Sequence, residues 1–173
     1  MERLQINESM KPYIKKINPL QYLQEDEIED FMDLITVHRY IDEVIIKQGV
    51  VEKSLYAVLK GSVKVTVDNQ SGESYICTLG ASEIFGEAGL FLNAKRTANV
   101  VAMDKAIVLR ISRKNMLKFV NKHPIASNKI FMIMIYSLLQ KLKEANRELA
   151  YERKSDFNQA DIDSLINNLL TNE

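Results

Sequence analysis

Residues 85–98 open with Phe85-Gly86-Glu87-Ala88-Gly89-Leu90 and, after five intervening residues, close with Arg96-Thr97-Ala98. Gly86 and Gly89 bracket one helical turn and let the backbone approach a bound molecule closely. Free amides at the start of such a turn attract an anion. Glu87, when ionised, only accepts hydrogen bonds, which suits sugar hydroxyls. Arg96 offers a planar fork of donors to a phosphate, and Thr97 adds a hydroxyl beside it. These residue types at this spacing describe a pocket for a sugar phosphate.

A chain of 173 residues is long enough to bury a core that holds such a pocket. Lys plus Arg and Asp plus Glu balance at 23 each, so no global field draws the protein to nucleic acid or to an anionic membrane. The single cysteine, Cys77, cannot form an internal disulfide, and the N-terminus lacks the basic and apolar blocks of a secretory signal. A cytoplasmic setting is expected. The longest apolar run, residues 130–136, is about a third of the roughly 20 residues needed to cross a bilayer, so no membrane partner is expected.

Ahead of the glycine-acid turn, two-residue alternation sets in near residue 36. Short β-branched runs at residues 37–40, 43–47, 54–60, 63–67 and 74–79 are separated by turn signals at Gln48-Gly49, Lys60-Gly61-Ser62, residues 68–72 and Gly80. Two more runs follow at 98–102 and 106–111. The spacing predicts a mainly β fold with flanking helices: an eight-stranded jelly-roll-like β-barrel with N-terminal helices and a long C-terminal dimer helix.

The helical parts frame this roll. Residues 1–35 carry helical signals broken at Asn18-Pro19, with Glu25, Asp26 and Glu27 crowding one helix start. Ser112 caps a helix over 113–121, and Pro124 opens a long one. On it Phe131, Ile135, Leu138, Leu142, Ala145 and Leu149 recur every three or four residues, the seam of a helix that meets a partner helix. A homodimer through residues 124–153 is the expectation. Residues 154–173 read as a separate amphipathic helix, acidic after Lys154, with the wrong sign for a DNA reader. The expected organisation is therefore a helical segment (1–35), a β-roll with a short following helix (36–122), a dimerisation helix (123–153) and a short acidic helix (154–173).

With the alternating strands, the Phe85-Gly86-Glu87 step, Leu90, Arg96-Thr97-Ala98 and the long helix in this order, the chain resembles the cyclic nucleotide-binding domain family over about residues 18–150. The stretch 56–65 matches the family's repeated hairpin pattern. Residues 85–98 match its phosphate-binding cassette in type and spacing, although Lys95 stands where many members have proline and Ser82 where a turn glycine is common. The resemblance implies that Glu87 accepts the ribose 2′-hydroxyl and Arg96 pairs with the cyclic phosphate. Backbone amides around Gly86, Ala88, Thr97 and Ala98 complete the cradle, with Phe85, Gly89 and Leu90 shaping it. A Thr97-like hydroxyl occurs in relatives that prefer cyclic GMP, and a serine in bacterial cyclic-AMP regulators. Cyclic AMP is the expected ligand and cyclic GMP the alternative. The adenine contact of the bacterial regulators cannot be carried over, so Ser137, Gln140, Lys141 and Glu144 are candidate base caps from helical position alone.

The expectation is a regulatory sensor without its own catalytic or DNA-binding segment, acting on an effector protein. A truncated or atypical regulator of transcription and a non-binding family member are the alternatives. A metal-dependent jelly-roll enzyme would need several converging histidines, and only His38 and His123 exist. An iron–sulfur sensor would need several cysteines. Neither a catalytic residue, a metal nor a cofactor is expected.

Overall fold

The computed structural model describes the backbone of residues 1–170, with side chains in the last helix described through residue 147 and at residue 149. Two bodies are present, Met1–Phe131 and Met132–Glu173. The order of elements is β1 (Glu2–Leu4), α1 (Lys11–Ile14), α2 (Glu25–Met32), β2 (Thr36–Ile41), β3 (Val44–Ile46), β4 (Ser54–Asn69) and β5 (Gly72–Leu79). Then come β6 (Ile84–Phe85), α3 (Glu87–Phe91), β7 (Asn99–Ser112), α4 (Arg113–Lys122) and α5 (Pro124–Leu170).

The strands pair antiparallel in the order β1-β2-β7-β4-β5, with β3 added on β7 and β6 on β4. This hydrogen-bonded path does not close into the expected barrel, and it holds seven strands among the described residues rather than eight. Two pairs of expected strands are fused. Residues 54–60 and 63–67 form one strand because Gly61, at φ 82°, absorbs an irregularity in register without ending the pairing with β7. A Cβ there would stand 3.1 Å from the Cα of Ala106, so the close crossing of the strands requires glycine. Residues 98–102 and 106–111 fuse in the same way past Asp104, at φ 51°. Two strands were not expected: β1, inside the segment read as helical, and the two-residue β6.

Register sorts the residues of the central strands by face. Arg110 stands opposite both Thr36 and Tyr56, Val108 opposite His38 and Val58, and Ala106 opposite Tyr40. On that face Tyr40, Tyr56, Val58, Ala106 and Val108 join Val63, Phe85 and Val100 in one buried cluster. From α2 and α4, Phe31 and Phe119 meet edge to face with centroids 5.2 Å apart, and both are buried. Each such side chain contributes about 1.5–3 kcal/mol by leaving water.

Caps set the helix starts. Glu27 accepts from the Gln24 amide at 2.8 Å before α2, and Ser112 accepts from the Asn115 amide at 3.2 Å at the start of α4. The acidic side of α2 is gripped as well as solvated, because Lys11 bridges Glu25 and Glu29. These contacts hold the Glu25 carboxyl down at about 2, chiefly through Lys11 and then Lys15. The α5 backbone is helical from Pro124 to Leu170 without the boundary expected near Lys154, and no glycine or proline follows Pro124 to impose one. The acidic and apolar side chains expected to define a separate helix over 154–173 lie outside the described side chains.

Candidate functional site

The glycine-acid step lies between β6 and α3. Gly86, at φ 74°, turns the chain so that Glu87 begins α3, and the Gly89 amide closes the turn on the Gly86 carbonyl at 3.0 Å. Leu92 ends the helix by donating to Ala88 at 2.7 Å. The returning segment is laced to the β3–β4 connection: the Arg96 amide donates to Val50 and the Gly49 amide to Arg96, both at 2.8 Å. Arg96 is thereby fixed at its backbone before its side chain makes any contact.

Its guanidinium turns inward, and the residue as a whole is 7% exposed. Nη1 donates to the Gly86 carbonyl at 2.8 Å and Nη2 to the Ser54 carbonyl at 2.7 Å. The group lies 5.8 Å from the centre of the Tyr56 ring, which stacks on Phe85 at 5.3 Å. Nε is buried without a hydrogen-bond partner. The two glycines make room for this cation. A Cβ on Gly89 would stand 2.6 Å from Arg96 Cζ and 2.7 Å from the Glu52 carbonyl, and one on Gly86 would stand 2.8 Å from Arg96 Nη1. The sequence reading gave these glycines to the approach of a ligand; their first role is to admit the arginine.

Phe85, Gly89, Leu90 and Arg96 are buried, Gly86, Glu87 and Ala98 half-buried, and Ala88 and Thr97 exposed. These cassette residues lie on one continuous turn-helix-loop. The candidate caps Ser137, Gln140, Lys141 and Glu144 lie on α5 in the second body, Ser137 half-buried and the others exposed. Sequence reasoning missed four residues. Ser54 holds Arg96 through its carbonyl, and Tyr56 underlies it. Glu52 brings a carboxylate oxygen to 3.7 Å from Arg96 Nη2. Arg113 reaches back from α4 to donate to the carbonyls of Leu90 at 2.6 Å, Gly89 at 3.1 Å and Leu92 at 2.6 Å. Only Arg113 had a legible signal, as a cation in the first turn of a helix that directly follows a strand, where the macrodipole gives it no reason to be.

Burial, followed by the hydrogen bond to Glu52, pushes the Tyr56 hydroxyl well above the usual phenol range, so it stays a donor. Both histidines have structural surroundings. His38 lies on β2, where burial and then Arg110 and Arg3 hold its pKa below the ordinary value. His123 ends α4 with Nε2 2.6 Å from Asp30, whose carboxyl is held low by Lys122 first and by His123 next. Among the described residues no three His, Cys, Asp or Glu side chains gather to hold a metal, and no helix is long and apolar enough to cross a membrane.

A fold with two glycines wrapped round an inward arginine, and a glutamate at the head of the same turn, defines a class. Residues 39–123 match the family described as the cyclic nucleotide-binding domain, and the chain belongs to that family. It is similar to the cAMP-activated global transcriptional regulator CRP of Haemophilus influenzae, at 32% identity over 130 residues, covering 73% of this chain and 56% of the relative. It is also similar to human cGMP-dependent protein kinase 2, at 28% identity over 58% of this chain and 14% of the kinase. Among solved structures, the catabolite activator protein of Thermus thermophilus superposes with a TM-score of 0.66 at 26% identity, covering 76% of this chain and 61% of that one. The chain spans about half the length of the bacterial regulators it matches.

Proposed function

We propose that this chain is a cyclic-nucleotide sensor, with cyclic AMP as its ligand, that acts on an effector protein from the cytoplasm. The observation that carries the proposal is the buried Arg96, fixed by two carbonyls and two glycines with Nε left unpartnered. A phosphate oxygen supplies the missing acceptor, and a charge-assisted bond of this kind is worth roughly 1.5–3 kcal/mol. Glu87, at the first position of α3, takes the ribose 2′-hydroxyl, and the amides of Gly86, Ala88, Thr97 and Ala98 complete the cradle. The similarity to a cAMP-activated regulator favours adenine over guanine, with Ser137, Gln140, Lys141 and Glu144 as the residues to test as its cap.

Ligand occupancy is read out through α3. Arg113 ties the carbonyl end of that helix to the start of α4, so a ligand that binds one position of α3 better than another shifts α4 with it. The open seam of α5, with Ile135, Leu138, Leu142 and Leu149 all exposed, pairs with a second copy of the chain. Thermal unfolding with cyclic AMP, cyclic GMP and 5′-AMP tests the reading. Ligand at 100 times its Kd adds about 2.7 kcal/mol of stability, and Arg96→Ala removes most of that gain. The similarity to a transcriptional regulator supports a second reading, in which the sensor controls DNA binding; salt-dependent retardation of DNA in a gel would favour it.

A further inference from the structure

Glu52 brings a negative charge to the cation that the proposed ligand needs. Oε1 accepts from the Tyr56 hydroxyl at 2.5 Å and from Arg110 Nε at 3.2 Å, while Oε2 stands 3.7 Å from Arg96 Nη2. Tyr56 and Arg110 face each other across β4 and β7, so the sheet itself fixes the carboxylate. It is not needed to hold Arg96, which already has the carbonyls of Gly86 and Ser54. Its consequence for Arg96 is electrostatic: a carboxylate at this distance opposes any anion that approaches the guanidinium, and Arg110 offsets that opposition.

We infer that Glu52 and Arg110 set the charge of the ligand the site accepts, favouring a phosphodiester monoanion over a phosphomonoester dianion. Two guanidinium groups and one carboxylate in direct contact leave a single net positive charge, which one ligand charge neutralises. A second ligand charge meets Glu52 uncompensated. The other charged cassette residues are Glu87, at the head of α3 and assigned above to the sugar, and Lys95, which is exposed. The inference rests on the cyclic-nucleotide reading and adds to it a residue pair that excludes the linear nucleotide.

Isothermal titration of wild type, Glu52→Gln, Arg110→Gln and the double variant with cyclic AMP and with 5′-AMP, at low and high salt, tests it. Glu52→Gln is expected to tighten cyclic AMP by roughly three- to tenfold and 5′-AMP by more, with a steeper loss of affinity as salt rises. Arg110→Gln is expected to do the reverse, and the double variant to return towards wild type. A purely structural role would weaken both ligands alike in both single variants, and that result overturns the inference while leaving cyclic AMP binding in place. Wild type that binds neither nucleotide overturns the cyclic-nucleotide reading and this inference together. Should Glu52→Gln fail to fold, Arg110→Gln decides alone: an unchanged ratio of cyclic AMP to 5′-AMP affinity contradicts the inference.

Discussion

The cassette and the α5 segment beyond Phe131 carry the two halves of the proposed function, and they are built in opposite ways. In the cassette the guanidinium of Arg96 is tied to backbone carbonyls, its own peptide unit is laced to Gly49 and Val50, and two glycines leave no space for anything larger. On α5, Ile135, Leu138, Leu139, Leu142 and Leu149 present apolar side chains to solvent. A site that must hold a charge in one place is specified by backbone geometry, whereas a surface that meets a partner is specified by the side chains it leaves uncovered. The two should therefore respond differently to substitution.

Gly89→Ala breaks the first region most severely. The added methyl meets the Glu52 carbonyl and the Arg96 guanidinium at once, and overpacking of this kind costs about 1–3 kcal/mol. Denaturant unfolding is expected to show that loss, together with cyclic AMP affinity reduced by more than tenfold. Arg113→Ala acts one step further out, removing three donors from carbonyls at the end of α3. It is expected to cost about 1.5–2 kcal/mol and to abolish ligand-dependent protection of α4 amides in hydrogen exchange, while cyclic AMP still binds. Leu142→Asp sharpens the contrast from the other side. Sedimentation is expected to show a dimer weakened by at least tenfold, about 1.4 kcal/mol, with the cassette's affinity for ligand changed little. Ser82→Gly has the smallest effect, since Ser82 holds φ 76° in the turn before β6. Releasing that conformation is expected to stabilise the fold by about 0.5 kcal/mol in the same unfolding assay.

What could be read from the sequence follows the same division. Glu87, Arg96 and Thr97 stand out because their side chains carry polar chemistry, and Gly86 because it carries no side chain at all; residue type is what a sequence displays. The partners of Arg96 were hidden because Gly86 and Ser54 hold it through carbonyls, which every residue possesses, and because Ser54 is 42 positions away. Glu52 was hidden for a related reason: Tyr56 lies four residues along the chain, but only the pairing of β4 with β7 brings Arg110 across to the same carboxylate. The strands were legible as alternation, but not their joins, since Gly61 and Asp104 look like turn residues and serve as irregularities inside continuous strands. β1 and β6, at three and two residues, are too short for any period to appear. On α5 the change to an acidic composition after Lys154 suggested a boundary, yet a change of composition alone does not end a helix that contains no breaker.

The central claim, that Arg96 in its glycine cradle receives the phosphate of a cyclic nucleotide, is tested most directly by isothermal titration of the wild-type chain with cyclic AMP beside Arg96→Ala. One ligand bound per chain by the wild type, with affinity lowered at least tenfold in the variant while its fold is retained, is the result predicted. Absence of binding at millimolar cyclic AMP by a folded wild-type chain, or equal binding by Arg96→Ala, would contradict it.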